Sequence, residues 1–302
     1  VQIKDFMVDR NLKELTEHRT VALPIACYET IINQNVHGYI PLHWHDELQF
    51  ILVIKGQSIF QVNGENIVVG EGEGLFINSG CLHMAKDMND SNCAYICLNV
   101  SPSFILSQEL YATYVTPYIQ ATNLSYLQLH PNELWGKNIL DAVRKINELI
   151  RKKSLYYELD IFIQLTFIWK NLVMNGFQLK YERMEMLKSH RMKQMLDWIH
   201  THYADKILLE DIARAGQLSR SECCRYFKKF LKKTPLNYVI EYRIQKSLIL
   251  LQKDHLNVTE VAYQVGFNST SYFIDRFRKY MKMTPLSYKK RMSNFNSNRP
   301  FD

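Results

Sequence analysis

An internal repeat in the last hundred-odd residues is the feature that most constrains this chain. The first copy runs Leu209, Ile212, Ala213, Leu218, Ser219, then Cys223, Phe227, Phe230, then Thr234, Pro235, Tyr238. The second runs Val258, Val261, Ala262, Phe267, Asn268, then Phe273, Phe277, Tyr280, then Thr284, Pro285, Tyr288. Ala213 recurs as Ala262 after 49 residues and Phe227 as Phe277 after 50, so one inserted residue keeps the copies in step. Each copy reads as a short helix, a tight turn and a second helix. Ala213 and Ala262 are small where two helices must cross closely. Gly266 suits the positive φ that ends a helix. Gln217 stands at the matching place in copy one, a strain that Gly216 is expected to relieve. Ser219 and Asn268 are N-cap types for the second helices, and Thr234-Pro235 and Thr284-Pro285 cap the helices that follow.

Apolar spacing fixes the faces of the second helices. Cys223, Phe227 and Phe230 point inward in copy one, and Phe273, Phe277 and Tyr280 in copy two. Arg220, Ser221, Cys224, Arg225, Lys228 and Lys229 are left outward in the first helix. Ser269, Thr270, Ser271, Ile274, Asp275, Arg278 and Lys279 are left outward in the second. A polar, basic helix face of this kind fits the major groove of double-stranded DNA. Arg225 can fork onto guanine O6 and N7. Lys228, Lys229, Lys232, Lys233, Arg276, Arg278 and Lys279 suit phosphate neutralisation, which sets affinity rather than sequence choice. Charge placement agrees: residues 189–302 carry 21 Lys and Arg against 10 Asp and Glu, the remainder 16 against 20. A basic block on a mildly acidic body is the footprint of a polyanion-binding module.

The rest of the chain changes character. Residues 22–100 hold short β-rich runs (49–54, 58–62 and 66–69) punctuated by glycines, with an Asn63-Gly64 hairpin signal, as in a small barrel or sandwich. From Glu133 to Arg151, Trp135, Ile139, Val143, Ile146 and Ile150 form one helical stripe. A second helix, about Leu155 to Asn175, is apolar around most of its circumference and is expected to be buried on more than one side, with a dimer seam one way to bury it. Gly176 to Lys188 reads as a linker. The six cysteines show no paired framework and are expected to be reduced. No run is long and apolar enough for a membrane span, and the N-terminus (Val1 to Glu14) lacks a signal-peptide core, so the expected location is cytoplasmic, with no membrane partner.

Residues 189–292 resemble the DNA-binding domain of the AraC/XylS family of bacterial transcription regulators. The second copy carries the most specific matches, in Val261-Ala262, Val265-Gly266-Phe267, Ser271-Tyr272-Phe273 and Thr284-Pro285. The resemblance implies seven helices, a long one near Leu236 to Gln252 joining the copies, and two recognition helices in successive major grooves. Asp275 departs from it, because a polar or basic residue is more usual there. Upstream, Gly38, His43, His45, Gln49, Gly56, Gly72, Asn78, Gly80 and His83 resemble the cupin motif, with Gln49 replacing the usual glutamate and Asn78 the usual proline. The implied fold is α+β in two domains, a cupin-like β-barrel plus helices and a C-terminal all-α domain with two helix-turn-helix units. The expected layout is an effector domain over 1–130, a dimerisation segment over 131–176, a linker over 177–188, the DNA-binding domain and a tail over 293–302.

The resemblance implies a small-molecule effector pocket rimmed by His43, His45, Gln49 and His83, with Trp44 or Phe76 nearby. No cofactor and no metal are assigned; His43, His45 and His83 are the candidate metal ligands, weakened by the missing carboxylate at Gln49. The expected chain is a non-enzymatic, effector-responsive activator, a homodimer on promoter DNA in contact with RNA polymerase. Two alternatives stay open: a metal-dependent cupin enzyme with a DNA-targeting module, and an effector-independent regulator whose barrel only dimerises.

Overall fold

The computed structural model describes residues 12–14, 23–35, 38–253 and 255–297, in two compact units, Val1–Leu187 and Lys188–Asp302. Most of the N-terminal stretch read for a signal peptide, Ala22 and the end of the tail lie outside the described residues.

The strands of the first unit are β1 (Ile25–Ile31), β2 (Ile40–His43), β3 (Leu48–Lys55), β4 (Gln57–Val62), β5 (Glu65–Gly70), β6 (Gly74–Ile77), β7 (His83–Asp87), β8 (Ala94–Val100) and β9 (Tyr126–Leu129). Its helices are α1 (Gln108–Tyr114), α2 (Thr116–Gln120), α3 (Leu134–Lys152) and α4 (Tyr157–Met174). Asn63 and Gly64, at φ 47° and 87°, make the two-residue hairpin between β4 and β5 that their sequence signals. The strands form two antiparallel sheets, ordered β1-β8-β3-β6-β9 and β2-β7-β4-β5.

These sheets are open. β1 and β9 edge the larger, β2 and β5 the smaller, and no ladder among the described residues joins one sheet to the other. The expected closed cupin-like barrel is therefore corrected to a stack of two open sheets under a helical layer. β3 shows the physical reason. Leu48, Phe50 and Leu52 enter a core shared with α3 and α4, while Ile51 and Val53 enter the core between the sheets. A sheet covered on both faces excludes water without closing its edges.

α3 buries Ile139, Val143 and Ile146, as its stripe predicts. α4 buries Ile161, Leu165, Ile168, Trp169 and Leu172, but Leu159, Phe162, Ile163 and Phe167 are exposed. The burial on more than one side expected of this helix is thus met on one side within the single chain. Residues 177–182 are tied to the strand-side loop: Thr122 N donates to Lys180 O (2.8 Å), Lys180 N to Asn123 Oδ1 (2.8 Å) and Glu182 N to Thr122 Oγ1 (2.9 Å).

The second unit is helical throughout: α5 (Arg183–His202, its first turn preceding the division), α6 (Leu209–Ala215), α7 (Arg220–Leu231), α8 (Pro235–Leu250), α9 (Val258–Gln264), α10 (Thr270–Met281) and α11 (Pro285–Ser297). α8 serves both copies. Its Tyr238 meets Phe227 edge-on and shares a hydrogen bond with His200 (Oη to Nε2, 2.7 Å), while Ile244 and Leu248 pack with Phe273 and Phe277. No helix among the described residues is long and apolar enough to cross a membrane.

Candidate functional site

The two helix-turn-helix turns share one hydrogen-bond pattern. Leu218 N donates to Ala213 O (2.9 Å), and Phe267 N to Ala262 O (3.0 Å). Both alanines are buried, which lets the paired helices cross closely. In copy two Gly266 takes φ 88°, and a Cβ there would lie 2.7 Å from the carbonyl oxygens of Tyr203 and Ala204. In copy one the left-handed residue is Gln217 itself (φ 53°), not Gly216. Gly216 is required for space instead, since its Cβ would lie 2.8 Å from Met195 Cγ. Arg243 secures the α5 end beside Gly266, its Nε donating to Tyr203 O (2.6 Å) and its Nη2 to Asp205 O (2.7 Å).

Ser219 caps α7 in a reciprocal box with Glu222, each side chain accepting from the other's backbone N–H (3.3 and 3.1 Å). The cap of α10 is Ser269, accepting from Tyr272 N at 3.3 Å, rather than the expected Asn268. The inserted residue falls before the cap, so the offset there is already fifty. Thr234 and Thr284 cap α8 and α11 as expected.

Cys223, Phe227, Phe273 and Phe277 are fully buried and Phe230 nearly so. Tyr280 is 38% exposed, against the expectation of an inward ring. On the outer face of α7, Arg220, Ser221, Arg225, Lys228 and Lys229 are exposed and Cys224 is half-buried. On α10, Ser271, Ile274, Asp275, Arg278 and Lys279 are exposed, Ser269 and Thr270 partly so. Arg220 is held by Glu210 (2.7 Å), and Arg225 lies 4.0 Å from Glu222. The Ser219 hydroxyl and backbone, and to a lesser degree Arg225, keep the Glu222 carboxyl below its ordinary range. Two residues expected to be phosphate neutralisers are engaged within the fold. Lys233 pairs with Glu241, and Arg276 lies over the Tyr272 ring (4.8 Å) with its Nε 3.5 Å from Asp275. Asp275 faces outward, with Arg276 as its neighbour.

The histidine cluster sits between the sheets. His43 ends β2 and is the direct cross-strand partner of His83 at the start of β7, which brings their ring centroids to 4.0 Å. His45 follows at 5.0 Å from His83. All three are buried, with one ligand atom from each within 4.8 Å of the others. Gln49 approaches from the opposite sheet on β3 and donates its Nε2 to Cys97 Sγ (3.1 Å). His43, Gln49 and His83 line a cavity of about 30 Å³, together with Tyr28, Phe60 and Tyr95; His45 stands outside that lining. Phe76 instead belongs to the helix-side core, and Trp44 is under Lys13, so neither is in the cavity's lining. Asn78 is a brace: its amide donates to Tyr118 O (2.8 Å) and Leu124 O (2.9 Å).

Sequence reasoning missed Glu14. It is 7% exposed and enters beside Trp44 through a backbone pair, Glu14 N to Trp44 O and Trp44 N to Leu12 O, both 2.9 Å. A lone glutamate in a polar N-terminal stretch gives no signal of this. All six cysteines are free thiols, and burial pushes Cys97 and Cys223 up to about 12, so both stay protonated.

A unit with two helix-turn-helix copies, and another that encloses a small cavity between its sheets, have the make-up of a DNA-binding regulator joined to a second module. Residues 27–120 match the AraC-like ligand binding domain, and residues 212–291 a helix-turn-helix domain. Over 288 residues the chain is 69% identical to the uncharacterized HTH-type transcriptional regulator YdeC of Bacillus subtilis, covering 95% of this chain and 99% of that one. It is 23% identical to the HTH-type transcriptional activator RhaS of Klebsiella pneumoniae, covering 81% and 86%. The crystal structure of ToxT from Vibrio cholerae aligns over 84% of this chain and 93% of that chain, at 15% identity and a TM-score of 0.42. The chain belongs to the AraC/XylS family of helix-turn-helix transcription regulators. It is a sequence-specific DNA-binding regulator using two helix-turn-helix motifs, and not an enzyme, which retires the alternative of a cupin enzyme with a DNA-targeting module.

Proposed function

We propose that the chain is an effector-responsive activator that binds promoter DNA with α7 and α10 in successive major grooves, about 34 Å apart along the duplex. The observation carrying this is the pairing of two twelve-residue helices, each with its phenylalanines buried and its polar, basic face exposed. Arg220, Ser221, Cys224 and Arg225 on α7, with Ser269, Thr270, Ser271 and Asp275 on α10, are the base-facing set. Lys228, Lys229, Arg278 and Lys279 are the phosphate-facing set. Activation follows the relative named as an activator, and contact with RNA polymerase belongs to the same reading.

Residues 1–130 are assigned to sensing, through the cavity lined by His43, Gln49 and His83, with His45 beside His83. Residues 131–176 are assigned to homodimerisation, 177–188 to the connection, 189–292 to DNA and 293–302 to a tail. Support for the dimer is the exposed apolar face of α4, where Leu159, Ile163 and Phe167 stand at 64%, 60% and 41% exposure. Such a patch on a soluble chain marks an interaction surface. An effector that prefers one arrangement of the chain shifts its population and with it DNA occupancy.

The test is fluorescence anisotropy of the full chain on duplexes it selects from randomised DNA. The proposal expects two sequence blocks one helical turn apart and binding that falls steeply with salt. A single block, or affinity indifferent to sequence, contradicts it. Sedimentation of Ile163→Glu should give monomer where the unaltered chain gives dimer.

A further inference from the structure

We propose that the buried His43, His45 and His83 bind one divalent transition-metal ion, so that the ligand of the sensing unit is a metal ion rather than an organic molecule. This rests on reading the cavity between the sheets as the effector site.

The ring orientations carry the argument. Nδ1 of His43 lies 2.8 Å from Pro41 O, that of His45 3.0 Å from Glu47 O, and that of His83 2.8 Å from Cys81 O. A carbonyl only accepts, so each Nδ1 holds the proton and each neutral ring carries its lone pair on Nε2. Donating the far ring N–H to a backbone carbonyl is how proteins fix an imidazole as a metal ligand. Each carbonyl here belongs to a residue two positions away, so the strand ends that position the rings also set their tautomers. Imidazoles in the same tautomer cannot hydrogen-bond to one another through Nε2, whereas one cation can accept lone pairs from several rings. His83 shows the need most clearly, since its Nε2 is buried with no hydrogen-bond partner, as is Oε1 of Gln49.

Size agrees. A cavity of about 30 Å³ holds an ion or a water. Pockets for drug-sized organic ligands start roughly tenfold larger. A set of imidazoles suits Zn²⁺, Ni²⁺, Cu²⁺ or Co²⁺ better than Mg²⁺ or Ca²⁺. The atoms, up to 4.8 Å apart, are wider than the about 3.4 Å edge of a tetrahedral zinc site, so binding draws the two strand ends together.

The experiment uses the full chain, freed of metal by a chelator and titrated with Zn²⁺ by calorimetry and with Co²⁺ by visible absorption. One ion per chain is expected, with His43→Ala and His83→Ala each weakening it roughly a hundredfold or more. The exposed His190→Ala should leave it unchanged. His83→Gln, checked by circular dichroism and retained DNA affinity, separates ligand loss from misfolding. Substoichiometric binding, or binding that survives both alanine variants, overturns the inference. Thermal melts with sugars and small organic acids run in parallel. An organic stabiliser lost in Gln49→Ala, with no ion bound, would overturn the metal and keep the effector cavity; no stabilisation by ions or organics would remove both.

Discussion

In copy two a single residue, Gly266, both takes the left-handed conformation of the turn and leaves room for the Tyr203 and Ala204 carbonyls. In copy one those duties are split: Gly216 makes room for Met195, while Gln217, a residue with a Cβ, takes φ 53°. The outer faces differ in the opposite sense. α7 has a full capping box and an exposed arginine near its start, whereas α10 has a single serine cap and presents Asp275 beside Arg276. Copy two thus has the less strained turn, and copy one the face better suited to bases. Repeats that keep a common fold are free to divide stability and recognition between them.

The largest effect that can break this comparison is on stability. Gly266→Ala should destabilise the second unit by about 3 kcal/mol or more, adding left-handed strain to overpacking against backbone. Gly216→Ala should cost about 1–2 kcal/mol, since its obstacle is the flexible Met195. Denaturant unfolding of both variants would refute the division of duties if their order were reversed. Next, Arg225→Ala should lose about 1–3 kcal/mol of discrimination at one base pair, while Asp275→Asn should change base preference little and tighten binding to all sequences slightly. Lys228→Ala should weaken every sequence alike and lower the salt slope by about 1. The smallest expected effect is a gain: Gln217→Gly relieves the left-handed side chain and should raise stability by about 0.5–1 kcal/mol in a thermal melt.

The helix-turn-helix unit was legible because its determinants are local. Thr234, Ser219 and the spacing of Phe227 and Phe230 act within a few residues of themselves, and the structure keeps them. Errors came where the one-residue offset mattered, at Asn268 against Ser269. Another came at the end of α10, where Tyr280 follows the periodicity of Phe273 and Phe277 but is left 38% exposed. The sensing unit was less legible. Alternation located β3 to β5, but whether sheets close depends on pairings between strands far apart, such as β1 and β9, that no local pattern records. One signal was available: the unbroken apolar run of β3 already required a covering layer on both faces. Trp44 and Phe76 were placed near the cavity by proximity in sequence to its histidines, whereas strand alternation turned Phe76 to the helix side. Glu14 was missed because its place depends on pairing with Trp44, thirty residues on.

The most direct measurement is the affinity of the full chain for a panel of duplexes, each with one base pair changed across both half-sites of a selected sequence. If copy one does most of the base reading, changes in the half-site facing α7 should lower affinity about tenfold or more each, and those facing α10 by less than about threefold. Equal losses in the two half-sites, or larger losses opposite α10, would contradict the account.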